Sequence, residues 1–344
     1  MTIKDIAELA SVSTATVSNV LNKKDEKVSE EVRKRVNNII QQHDYVPNRI
    51  AKSLRKNKTD TIGVITEDIG DFAAPKILKG IDAYVEDTGK NILLYDLGLR
   101  KKTGDDTDKV KFYQTDVDEA FSVLLSAKVD GIIYVAWQDR DVREHIKDID
   151  APIVYSFCYN SEDNQTWISY DNSYISEKLV KKVLEYGHEK IAIVSGGYNC
   201  RPAQERLEAY KRVLAQNNIP LQNQYIKHGD WSFSDGARIY KELMSLNNPP
   251  TAIVFMNDEM ATGAVNESMN TDRKALDEVS IVGFNGEEYT RFLTPSITTV
   301  KIPLYEIGYK SAEQLVYKIE NRENLAQRVV LDCELIERET LRKV

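Results

Sequence analysis

Residues 2 to 22, TIKDIAELASVSTATVSNVLN, spell two short helices joined by a tight turn. Thr2 is placed to cap the first, with Asp5 three residues on in a near capping-box arrangement, and Ile6, Ala7 and Ala10 form its apolar stripe. Ser11 and Val12 make the turn. Ser13 then caps a second helix whose Val17, Val20 and Leu21 face inward, leaving Thr14, Ala15, Thr16, Ser18 and Asn19 facing out. Small polar groups on such a face suit the base edges of a DNA major groove, although an ordinary helical hairpin has the same spacing. From Ser29 a further helix, with Val32, Val36, Ile39 and Ile40 at helical spacing, closes a three-helix unit whose end is packed by Tyr45 and Val46.

From Thr61 onward β-rich runs alternate with helical ones: TIGVIT, KILKGIDAYVEDT, NILLYD, DEAFSVLLSAK, DGIIYV and PIVYSF, then a second round from SEKLVKKVLEYG to VSIVGF. That order predicts two similar α/β lobes built on parallel sheets. Charge divides differently from pattern. Residues 1–60 carry 12 Lys+Arg against 8 Asp+Glu, whereas the whole chain is at −8, so the basic end is the expected partner of nucleic acid. Cys158, Cys200 and Cys333 lie far apart without a CxxC, which predicts neither a disulfide framework nor a zinc site. The chain shows no basic-then-apolar leader and no run of about 18 apolar residues, so a cytoplasmic protein without a membrane partner is expected. Four histidines stand in no metal-ligand spacing, and no Walker loop, G-x-G-x-x-G or G-x-S-x-G occurs. No catalytic residue, metal or cofactor is therefore expected.

The segments VSEEVRKRV, YVPNRIAKSL, DGIIYV, YGHEKIAIVSG, VFMNDEMATGA, VSIVGFN and PSITTVKIP follow the first 22 residues in an order that resembles the LacI/GalR family of bacterial repressors along the whole chain. The resemblance implies an all-α helix-turn-helix headpiece over 1–46, a hinge helix and linker over 47–60, and an effector-binding and dimerisation core over 61–344. It further implies a periplasmic-binding-protein-like core whose lobe one spans about 61–160 and 291–321 and lobe two about 161–290 and 322–344, with crossings near 158–162, 288–292 and 318–324. The implied protein is a homodimeric repressor of a carbohydrate-utilisation operon, released from a pseudo-palindromic double-stranded operator by a sugar. A ligand acting as corepressor, or activation at some promoters, stays open.

The expected DNA contacts are Thr2, Ser13, Thr14, Ala15, Thr16, Ser18, Asn19 and Asn22, with Asn48, Arg49, Ser53 and Leu54 from the hinge. Leu54 matches the leucine that the family wedges into the minor groove; a flexible basic linker is the other reading of that segment. Effector contacts are expected where strands end, since α/β folds place their clefts there. Arg206 matches the family's ligand arginine. Trp231 offers a flat face to a sugar ring, Asn257 and Asp258 follow TAIVFM, and Asn285 follows VSIVGF. In the first lobe Asp68 and Phe72 follow TIGVIT, while Tyr170 and Asp171 follow WIS. Many sugar-responsive members carry an aspartate where this chain has Asn285, which removes a charge. A neutral carbohydrate is the expected ligand.

Overall fold

Capping fixes the start of the chain. Thr2 Oγ1 accepts from the Asp5 backbone N–H at 3.3 Å while the Asp5 carboxylate accepts from the Thr2 N–H at 2.7 Å, opening α1 (Ile3–Leu9). Ser11 takes a left-handed turn at φ 51°, and Ser13 Oγ then accepts from the Thr16 N–H at 3.1 Å to open α2 (Thr14–Leu21). With α3 (Glu30–Gln42) these helices enclose Ile6, Ala7, Ala10, Val17, Val20 and Val36. This computed structural model describes residues 1–21, 27–45, 58–104, 106–147, 149–197, 200–271, 278–321 and 327–344, and separates into two compact units, Met1–Thr59 and Asp60–Val344.

The second unit holds two six-stranded sheets. One is wholly parallel and contains β1 (Thr61–Thr66), β2 (Asn91–Asp96), β3 (Gly131–Val135), β4 (Ile153–Ser156), β5 (Trp167–Tyr170) and β11 (Arg328–Leu331), in the order β11-β5-β4-β3-β1-β2. The other contains β6 (Ile191–Ser195), β7 (Ile226–His228), β8 (Ala252–Phe255), β9 (Ser280–Asn285), β10 (Thr298–Lys301) and β12 (Glu334–Ile336), in the order β12-β10-β9-β8-β6-β7. There only β12 runs antiparallel, against β10. Central strands such as GIIYV of β3 are buried along their whole length, as parallel strands covered on both faces must be.

Helices cover these sheets: α4 (Ala74–Thr88), the short α5 (Leu99–Thr103), α6 (Gln114–Ser126), α7 (Asn172–Glu185), α8 (Arg201–Gln216), α9 (Phe233–Met244), α10 (Asp258–Thr271) and α11 (Leu304–Asn321). Helices α4 and α11 pack backbone to backbone. A β-carbon on Gly80 would lie 2.0 Å from the Tyr305 carbonyl oxygen, and one on Gly308 1.9 Å from that of Ile77, so both glycines are what allow the backbones to touch.

The lobe boundaries differ from those expected. A strand of three or four residues is held only by its neighbours' hydrogen bonds, and pairing puts Trp167–Tyr170 beside β4 and Thr298–Lys301 beside β9. The chain therefore leaves the first lobe at Asp171 rather than near 158–162. It returns at 302–303 rather than 288–292, and crosses finally at 332–333 rather than 318–324. Residues 298–301, expected in lobe one, belong to the second sheet, and 328–331, expected in lobe two, complete the first.

Candidate functional site

In the headpiece Thr2, Ser13, Thr14 and Ala15 are exposed, whereas Thr16, Ser18 and Asn19 are half-buried. The Thr16 hydroxyl bonds Ser13 Oγ at 2.9 Å. The outer face of α2 is thus small, polar and uncharged, set on a rigid three-helix frame. Asn22, Asn48, Arg49, Ser53 and Leu54 lie outside the described residues.

Within the second unit a cleft of about 350 Å³ opens where the strands of both sheets end. Of the residues named from the sequence, Phe72, Tyr170, Arg206, Trp231, Asn257 and Asn285 line it. Arg206 is buried on α8 and held on all sides: Nε donates to Asn172 Oδ1 at 2.9 Å, one terminal nitrogen to the Met256 carbonyl at 2.5 Å, and the other to the Tyr170 hydroxyl at 3.2 Å. The Phe284 ring lies 3.5 Å from the guanidinium carbon. Asn257 faces the cleft but spends its amide on the protein, donating to the Trp231 carbonyl at 2.8 Å and accepting from the Met260 N–H at 2.9 Å. It orients Trp231 while capping α10.

Three expected contacts do not line the cleft. Asp68 accepts from the Gly70 N–H at 2.8 Å and shapes the loop after β1; Asp171 caps α7 through the Tyr174 N–H at 2.8 Å. Asp258 is wholly buried, accepting from the Thr299 hydroxyl at 2.6 Å and the Glu287 N–H at 2.7 Å. Burial pushes its carboxyl up to about 7 against those two hydrogen bonds. The end of a strand is also the start of a helix, so a carboxylate there serves a cap as readily as a ligand.

Several lining residues were not anticipated. Trp137 and Gln138 follow β3 after Ala136, so the same strand-end rule would have found them. Beneath them Glu67, fully buried, accepts from the Tyr134 hydroxyl at 2.6 Å, the Trp137 N–H at 3.2 Å and Arg140 at 2.8 Å, which fixes the loop that presents Trp137. Gln138 reaches the other lobe, where the Cys200 thiol donates to its Oε1 at 2.9 Å. Asp71 pairs with Arg100 at 2.8 Å, and Lys76 of lobe one with Glu287 of lobe two at 2.6 Å. Burial pushes Asp71 up to about 6, with Arg100 opposing. These charges had no sequence signal, because each pair joins segments far apart in the chain.

A cleft lined by aromatic rings and polar groups between two lobes, together with a capped helix-turn-helix unit, defines a ligand-responsive DNA-binding regulator. Residues 2–48 match the model of the bacterial regulatory proteins of the lacI family, and residues 180–341 that of the periplasmic binding protein-like domain. The chain is 29% identical over 350 residues to the probable HTH-type transcriptional repressor ExuR of Bacillus subtilis, covering 100% of this chain and 99% of the relative. It is 29% identical over 345 residues to the HTH-type transcriptional repressor CytR of Escherichia coli, covering 99% and 96%. The lac repressor dimer bound to operator and the anti-inducer ONPF shares the fold at a TM-score of 0.80 and 24% identity, with 99% of each chain covered. The chain thus carries a lacI-family helix-turn-helix domain ahead of a periplasmic-binding-protein-like domain, as its repressor relatives do: it is a transcriptional regulator and not an enzyme. Among the described residues no helix is long and apolar enough to cross a membrane.

Proposed function

We propose that this protein is a cytoplasmic homodimeric repressor that binds a pseudo-palindromic operator and releases it when a sugar enters the interlobe cleft. The observation that carries the reading is the pairing of Arg206 with a tryptophan-faced cleft inside a lacI-family core: a forked donor reads neighbouring hydroxyl oxygens, and Trp231 covers the apolar face of a ring. Thr14, Ala15 and Asn19 supply base contacts, Thr2, Ser13, Thr16 and Ser18 lie around them, and Asn22 with the hinge residues Asn48, Arg49, Ser53 and Leu54 completes the DNA surface. Phe72, Tyr170, Arg206, Trp231 and Asn285 touch the effector, and Asn257 positions Trp231.

Selection of random duplexes by the full chain, followed by gel retardation with and without a sugar panel, tests this. The expected result is a symmetric consensus, steep salt dependence of binding, loss of binding when residues 1–59 are removed, and release by a sugar. A consensus without symmetry, or binding that survives removal of the headpiece, refutes the DNA assignment. Ligand-strengthened retention would make the ligand a corepressor.

A further inference from the structure

The charges that line the cleft are distributed unevenly. Each of its carboxylates has a cation at hand: Asp71 has Arg100 at 2.8 Å, Glu287 has Lys76 at 2.6 Å, and Glu259 stands in the field of Arg100. Arg206 has none. Its neighbours are an amide oxygen, a backbone carbonyl, a phenol and a phenyl ring, and among the described residues no carboxylate forms an ion pair with it. One N–H on each terminal nitrogen is left uncommitted by those bonds. A second donor nearby is in the same condition. Trp137, only 4% exposed, lines the cleft with an Nε1–H that has no hydrogen-bond partner among the described residues.

A buried guanidinium without a counter-charge is costly, and a buried N–H without an acceptor adds to that cost. A neutral sugar hydroxyl satisfies the hydrogen bonds but leaves the charge. An oxyanion satisfies both, and its planar or tetrahedral oxygens match the forked donor. Two further residues of the lining supply no negative charge. Asn285 directly follows Phe284, the ring stacked on the guanidinium, and it lines the cleft as an uncharged amide. Phe157 also lines the cleft and stacks at 5.7 Å on Tyr170, the phenol that accepts from Arg206.

We propose that the effector is an acidic sugar, a ring bearing a carboxylate or phosphate that is held by Arg206 and Trp137 in the interlobe cleft. This rests on the reading of that cleft as a sugar-effector site and replaces the neutral ligand expected from the sequence.

Calorimetry on the full chain with two matched series tests it: glucose, glucuronate and glucose 6-phosphate, and galactose, galacturonate and galactose 6-phosphate. Members of a series differ only at C6. The expected result is that an acidic member binds at least tenfold more tightly than its neutral parent, and the carboxylate and phosphate arms separate the two oxyanions. Asn285→Asp, which adds a carboxylate to the lining of the cleft and keeps the size of the side chain, should reduce acidic-sugar affinity at least tenfold. Circular dichroism confirms that this variant is folded. Equal or tighter binding of a neutral parent, absence of binding by every acidic member, or an acidic preference that survives in Asn285→Asp overturns the inference. Binding of adenosine or cytidine with no sugar bound would overturn the carbohydrate reading itself.

Discussion

Trp231 rests directly on the α-carbon of Gly196, so closely that a β-carbon there would lie 1.8 Å from Trp231 Cε2. The indole belongs to the loop before α9 and the glycine to the end of β6; their contact, with Asn257 holding the Trp231 carbonyl, fixes the ring that one side of the cleft presents. Gly196→Ala should displace the indole. Effector affinity measured by calorimetry is expected to fall about tenfold, equivalent to roughly 1.4 kcal/mol, while operator affinity without effector stays within twofold. Unchanged effector binding would mean that Trp231 does not cover the ligand.

On the headpiece, Asn19 is half-buried at the edge of the exposed face of α2. Asn19→Ala is expected to relax the preference for one base pair in the selected consensus, a loss of about 1 to 3 kcal/mol of discrimination, without a uniform fall in affinity. A consensus identical to wild type would place Asn19 away from base edges.

Asp258 makes stability depend on pH in a defined direction. Its carboxyl titrates at about 7 in the folded protein against an ordinary value of 3.8, so between those limits the folded state holds a proton that the unfolded state has released. That term favours folding below about pH 4 and is lost progressively as pH rises toward 7. Asp258→Asn removes the titration. Relative to wild type the variant should gain stability as pH rises from 4 to 7, by on the order of 2 to 4 kcal/mol, read by urea unfolding across that range. Parallel pH profiles for the two proteins would show that Asp258 ionises normally.

Gly308 faces the Ile77 carbonyl where α4 meets α11. Because the obstacle is backbone rather than a flexible side chain, Gly308→Ala should force the helices apart and cost about 1 to 3 kcal/mol despite the better helix propensity of alanine. Thermal unfolding of the second unit checks this; a rise in midpoint would mean the helices separate freely.

The alternation of TIGVIT and DGIIYV with amphipathic runs made the two-lobed body legible, because buried parallel strands and covering helices carry strong, distinct periodicities. The lobe boundaries were not legible. RVVL, ELI and TTVK are too short to show a period, and which sheet each joins is decided by hydrogen bonds to strands far away in the chain. In the cleft, Arg206 on α8 follows from the resemblance, and Trp137, two residues past β3, from the rule that clefts open at strand ends. The roles of Asp171 and Asn257 do not, since capping a helix and facing a ligand draw on the same residue types at the same place. The Arg100–Asp71 and Lys76–Glu287 pairs arise only from folding.

The crossing at Asp171 follows Tyr170 immediately, and Tyr170 is the residue whose hydroxyl meets Arg206 of the opposite lobe. At the second crossing the Ile302 N–H reaches back to the Asn285 carbonyl at 3.5 Å, which ties another cleft residue to a connecting strand. The ligand pocket and the joint are therefore one piece of machinery. Under the proposed function, a molecule held by Tyr170, Arg206 and Asn285 would act on the crossings directly and would need no relay through the protein interior.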